Sequence, residues 1–222
     1  MIRIEGLEHD LLDIPSLHIA EGNVAVIGRN GSGKTTLLEL LAGMDTPKKG
    51  SVRIFGSAPA ELGVGWVGEF PDHTILFSRV FDEVASSLRF KRVPAEEADH
   101  IVLNTLTHLR IERLIDRTTA ELSGGEKALV AFAAAIAGSP RIMILDEVDS
   151  HLDNDISSIL WSAVIDSGIP SVFCTQDMDQ AAQADTLLVL EDGKVIHCGS
   201  PAELFPLMKE SCFYPPLWRL DG

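Results

Sequence analysis

The stretch GRNGSGKTT, residues 28–36, limits the possible folds more than any other part of the chain. It has the form G-x-x-x-x-G-K-[ST], follows a short apolar run, VAVI, and precedes a helical run, LLELLAG. Strand, glycine-rich loop and helix in immediate succession are the context this motif needs. The glycines let successive backbone N–H groups curl around phosphate oxygens without side-chain clash, and the helix N-terminus adds partial positive charge. Gly28, Arg29, Asn30, Gly31, Ser32, Gly33, Lys34, Thr35 and Thr36 therefore form a candidate cradle for a nucleoside triphosphate. Lys34 is expected at the β- and γ-phosphates, and the Thr35 hydroxyl on Mg²⁺.

A second candidate element is RIMILDEVDSHLD, residues 141–153. A buried strand there ends in Asp146, suited to holding Mg²⁺ through water, and Glu147 beside it can polarise an attacking water. Alone this signal is weak, because buried strands often end in acids that cap the next helix. Beside a phosphate loop the nucleotide role is the favoured one.

Around these motifs the chain reads as strands at 2–4, 16–19 and 24–27, a helix from 34 to about 44, and strands at 51–55 and 64–67. From 71 to about 139 apolar residues recur at helical spacing, in FDEVASSLRF, EEADHIVLNTLTHL and EKALVAFAAAIAG. Short apolar strands return at 141–145, 171–174, 186–190 and 194–197, alternating with helical stretches as parallel-sheet proteins do. The expected fold class is α/β, with one core interrupted by a mostly helical insertion.

Composition removes several function classes. A formal net charge of −15 speaks against a nucleic-acid surface and against direct adhesion to anionic lipid. No apolar run reaches the length of a membrane span, and MIRIEGLEHD lacks the apolar core of a signal peptide. Cys174, Cys198 and Cys212 are widely spaced with no CxxC pair, so three reduced thiols in a cytosolic protein are expected, not a metal site.

The stretch LSGGEKALVAFAAAIA begins at Leu122. Ser-Gly-Gly before an amphipathic helix is compatible with a simple N-cap and turn. Between the phosphate loop and RIMILDE, however, it resembles the signature of ABC-type ATPases, and SHLD, residues 150–153, resembles the loop after the catalytic Glu of that family. The resemblance spans essentially the whole chain. It implies a single ABC ATPase domain over 1–222, with a P-loop NTPase core, a mainly parallel sheet, an N-terminal antiparallel β subdomain and an inserted α-helical subdomain. The RecA-like core would occupy about 1–70 and 140–210, the helical subdomain about 71–139, and a short tail 211–222. It also implies a head-to-tail dimer, in which Ser123, Gly124, Gly125 and Glu126 of one chain close over the ATP and Mg²⁺ held by another.

A narrower resemblance lies in VGWVGEFPDHTILFSRVFDEVASSL, residues 64–88, and in the tail segments GSPAELF and FYPPLWRL. These look like the ATPases of energy-coupling-factor (ECF) importers and of cobalt and nickel importers. That likeness implies a transmembrane transporter component and a second ATPase subunit, the same chain or a different one. It implies a peripheral position on the cytoplasmic face of the cell membrane, and no nucleic-acid partner. Coupling helices of the membrane protein would enter near residues 69–77, where Asp72 could meet a basic side chain.

Four departures from the family pattern stand out. Gln176 occupies the place of a His that contacts the γ-phosphate, keeping a hydrogen-bond donor without a group that can accept a proton. Glu69 replaces a metal-contacting Gln, still able to ligate but adding negative charge. The family offers an aromatic ring near the N-terminus to stack on adenine, and here none precedes Phe55, with His9 the nearest substitute. Longer relatives continue past the Pro-Pro segment into a region that helps two ATPases stay together, whereas this sequence stops at Gly222, which leaves constitutive dimerisation open.

Two readings of the catalytic site follow, with Glu147 and Gln176 at its centre. In the favoured one the chain's own site hydrolyses slowly while its signature serves a competent site on another ATPase. In the other the site works with Gln in place of His. Outside transport, the rivals are an ABC ATPase of repair, translation or cofactor assembly, and a regulatory subunit that binds ATP with little turnover.

Overall fold

The computed structural model describes residues 1–219, so the last three residues of the expected tail lie outside the described residues. The chain opens with β1 (Ile2–His9) and β2 (Leu12–Ile19), antiparallel with Ile2 opposite Ile19 and His9 opposite Leu12. Next come β3 (Val24–Ile27), α1 (Lys34–Ala42), β4 (Lys49–Ile54) and β5 (Val64–Val67). Three helices follow, α2 (Val80–Phe90), α3 (Ala95–His108) and α4 (Gly124–Ala137). The remainder alternates: β6 (Ile142–Asp146), α5 (Asn154–Asp166), β7 (Ser171–Cys174), α6 (Met178–Ala181), β8 (Thr186–Glu191), β9 (Lys194–Gly199) and α7 (Pro201–Leu204).

One sheet is three-stranded, in the order β2-β1-β4, and antiparallel throughout. The other is six-stranded, in the order β5-β6-β7-β3-β8-β9, with β3 parallel to both β7 and β8 and β9 antiparallel to β8. Every residue of β3, β6 and β7 is buried. Strands covered on both faces have no polar face to alternate with, and VAVI, IMILD and SVFC are accordingly continuous apolar runs. In β1 and β2, by contrast, inward residues alternate until Gly6 and Pro15, where the alternation shifts by one place in both strands. Pro15 costs no ladder bond on the far side, because β2 is the sheet edge.

Contacts gather the chain into two units. The first comprises Met1–Val64, Ile144–Glu147 and the described part of Pro170–Gly222; the second comprises Gly65–Met143 and Val148–Ile169. The core of the first is built from Ile2, Ile4, Leu7, Val24, Val26, Leu37, Val172, Leu187 and Val189. In the second, α2 buries Val80, Val84 and Leu88, α3 buries Ala98, Val102 and Leu106, and α4 buries Leu129, Phe132 and Ala133. That spacing is the helical period read from the sequence. The second unit takes in α5 as well as α2, α3 and α4. A Cβ on Gly125 would lie 3.3 Å from Ile156, so α5 approaches the start of α4 closely.

Candidate functional site

The carboxyl ends of β3, β6 and β7 carry the candidate nucleotide residues of the first unit, and ligands of open α/β sheets bind at such strand ends. The loop after β3 is tightly shaped. A Cβ on Gly28 would lie 2.2 Å from the Leu190 carbonyl oxygen, and Gly33 sits at φ 99 with its Cβ position 2.8 Å from Leu12. Neither position admits another residue without displacing its neighbours. Gly31, Arg29 and Asn30 are exposed, and Ser32 closes a turn by donating its N–H to the Arg29 carbonyl at 3.1 Å.

Three features of this loop suit an anionic ligand. The buried Ser32 hydroxyl has no hydrogen-bond partner among the described residues. Gly33 caps α1 without any side-chain hydrogen bond, and the first turn contains no acid, so its orphan amides and partial positive charge stay available. Lys34 is buried, its Nζ donating to the Gly28 carbonyl at 3.1 Å and standing 3.6 Å from Glu147 Oε1. Thr35 is exposed at the same helix start and Thr36 is half-buried. The residues present thus fit a nucleotide phosphate chain.

Asp146 and Glu147 stand beside that loop with different surroundings. Asp146 is buried and accepts a hydrogen bond from the Cys174 thiol at 2.6 Å. Burial, reinforced by the Asp146 charge, pushes the Cys174 thiol far above its ordinary value, so it remains a neutral donor. A carboxylate that accepts one thiol hydrogen bond keeps acceptor capacity for a hydrated cation, so Asp146 and the exposed Thr35 hydroxyl supply oxygen donors of the kind Mg²⁺ takes.

Glu147 has φ 46, in the left-handed region that non-glycine residues seldom occupy. Its N–H donates to the Cys174 carbonyl at 3.1 Å, which fixes the backbone. Its carboxylate lies between Lys34 and Gln176, whose Nε2 donates to Oε2 at 2.8 Å. Gln176 is therefore no idle loop residue. It is hydrogen-bonded to Glu147, the candidate for polarising a water.

Glu69, Ser123, Gly124, Gly125 and Glu126 belong to the second unit. Ser123 and Glu126 form a capping box at the start of α4: Ser123 Oγ accepts from the Glu126 N–H, and Glu126 Oε2 accepts from the Ser123 N–H. Arg113 donates to the other Glu126 oxygen at 2.8 Å. These bonds hold the Glu126 carboxyl below its ordinary value. Ser123 and Gly124 are exposed, and a Cβ on Gly124 would meet nothing within 4 Å, so this helix start presents an open face. Glu69 Oε1 lies 3.3 Å from His151 Nε2.

The family model described as ABC transporter matches residues 12–150, which is more than half of the chain and contains the phosphate loop, Glu69, the signature and the Asp146–Glu147 pair. The chain belongs to the ABC transporter family. Among curated proteins it is 35% identical over 213 residues to the energy-coupling factor transporter ATP-binding protein EcfA1 of Lacticaseibacillus paracasei, covering 90% of this chain and 76% of that one. It is likewise 35% identical over 215 residues to the protein of the same name from Bacillus subtilis, covering 91% and 76%. Among solved structures it resembles cbiO1 of Clostridium perfringens, described as part of the ABC transporter complex cbiONQ, with TM-score 0.82, 26% identity, and coverage of 94% of this chain and 93% of that one. Its α/β fold, with one antiparallel and one mainly parallel sheet, is that of the ABC ATPases.

Within this ABC ATPase two contacts escape any reading of motifs alone. Cys174 reaches Asp146, and His151 reaches Glu69, because the fold joins segments far apart in sequence. His9 is buried, so its ring has no open face for adenine. No helix among the described residues is long and apolar enough to cross a membrane.

Proposed function

We propose that this chain is the ATP-binding and hydrolysing subunit of an ECF-type or cobalt/nickel-type importer, working on the cytoplasmic face of the membrane with a transmembrane component and a second ATPase subunit. The EcfA1 and cbiO1 likenesses support the assembly. The site reading rests chiefly on one observation: Glu147, in a strained backbone conformation, is hydrogen-bonded by Gln176 and approached by Lys34 at the phosphate-loop mouth.

In this reading the loop amides and Lys34 bind the phosphates of ATP, while Thr35 and Asp146, with Glu69, hold Mg²⁺. When bound, Mg²⁺ neutralises charge on the phosphate oxygens. Glu147 orients the attacking water and takes its proton. Gln176 orients Glu147 by hydrogen bonding but has no site that accepts a proton or carries charge, so it supports binding better than turnover. The open face at Ser123, Gly124 and Gly125 closes on the nucleotide of the second ATPase. On the loop after β5, Phe70 and Leu76 are exposed, the latter at 80%, and offer apolar purchase to a coupling helix. Asp72 there already pairs with Lys127, so its charge is partly engaged within the chain.

Steady-state hydrolysis by the purified chain, beside Gln176→His, tests the slow-site reading. The variant is expected to turn over at least about tenfold faster than the wild type, within the range of acid–base contributions. Wild-type turnover near a typical enzyme rate of about 10 s⁻¹, unchanged by His, would instead show a working site. Binding without hydrolysis in either protein favours the regulatory subunit, the second reading that Gln176 sustains.

A further inference from the structure

One departure from the family pattern, Glu69, meets His151 of the SHLD segment in space. Glu69 lies just beyond β5, and His151 lies in the loop after Glu147; both are in the second unit. Besides the 3.3 Å approach of Glu69 Oε1 to His151 Nε2, the imidazole stacks on Phe70, with centroids 5.5 Å apart and planes at 29°. Phe70 in turn tilts against His73 at 5.6 Å. His151 is thus located by an aromatic face as well as by a carboxylate. It is 61% exposed and Glu69 36%, so solvent reaches the pair and its strength is modest.

We propose that His151 is a positioning residue for Glu69, and that the two form a latch joining the loop after β5 to the loop after the Asp146–Glu147 pair. The contact needs only an N–H on Nε2, which both the neutral and the protonated ring can present. Glu69 alone would set an extra negative charge toward a triphosphate. Engaged by His151, its carboxylate spends part of its charge within the chain and keeps one oxygen for other use. The Glu at this place is therefore tolerated because of the His. The inference rests on the reading of Glu69 as facing Mg²⁺ and phosphate.

The test is a double-mutant cycle in the full chain, reading the dissociation constant of Mg²⁺·ATP at low temperature, before hydrolysis is appreciable. His151→Ala is expected to weaken binding about threefold, the scale of an exposed ion pair. In the Glu69→Gln background the same change is expected to do nothing, and His151→Gln, which keeps an N–H donor, is expected to recover part of the loss. In the protein without nucleotide, His151→Ala is expected to speed amide exchange across residues 69–74, a readout that does not involve ATP. Equal effects of His151→Ala in both backgrounds, or no effect in either, overturn the latch while leaving the nucleotide site intact. A wild type that does not bind Mg²⁺·ATP overturns both the latch and the proposed function.

Discussion

At the scale of single residues, the site is organised by neighbours that carry no motif. Cys174 illustrates this. Its thiol is buried against Asp146, and both burial and that charge disfavour the thiolate, which is the reactive form. The expectation is that a thiol reagent at pH 8 labels Cys212 and Cys198 in the native protein but not Cys174, all three reacting once the chain is unfolded. Burial also raises the Cys198 thiol, so it should label more slowly than a free cysteine. Rapid native labelling of three thiols, counted by mass, would contradict the packing around Asp146. The residue-level reading of the phosphate loop came directly from sequence, because its geometry is local: nine successive positions shape one turn and one helix start. The Cys174–Asp146 and Glu69–His151 contacts were illegible for the opposite reason. They depend on which strands and loops become neighbours, and no spacing along the chain encodes that.

At the scale of elements, helix α4 shows how one sequence serves two purposes. Ser-Gly-Gly-Glu is a family signature and also a capping box, and the structure contains the box in full. The Glu126 carboxyl is lowered first by the Ser123 backbone N–H and then by Arg113. A depressed carboxyl stabilises the fold above its ordinary value of 4.5, and that contribution is lost as pH falls through the lower folded value. Glu126→Gln is therefore expected to cost about 0.5–1 kcal/mol near neutrality. Chemical denaturation along a pH series should show this gap closing below pH 4.5, and a gap that stays constant into acid would refute the assignment. Element boundaries were read well where burial is uniform, as in β3 and β7, and poorly in β1 and β2. There only residues 2–4 and 16–19 read as strand, whereas β1 and β2 run Ile2–His9 and Leu12–Ile19. The shift of alternation at Gly6 and Pro15 hides the rest, because a period-2 pattern that slips by one place looks like its end.

At the scale of the whole molecule, the proposed function describes a chain that completes another site better than its own. In the proposed function Gln176, hydrogen-bonded to Glu147, brings no proton acceptor to the chain's own site, while the exposed Ser123 and Gly124 would serve a partner's nucleotide. A balance of 18 basic against 33 acidic residues suits docking to basic segments of a protein partner more than to anionic lipid. The most direct measurement is the subunit composition of the complex that this chain forms in its native membranes, solubilised in mild detergent and analysed by mass spectrometry. One assembly is expected, containing this chain, a transmembrane protein, and a second ATPase that carries His where this chain has Gln176. Recovery of the chain with soluble partners alone, and no membrane protein, would contradict it.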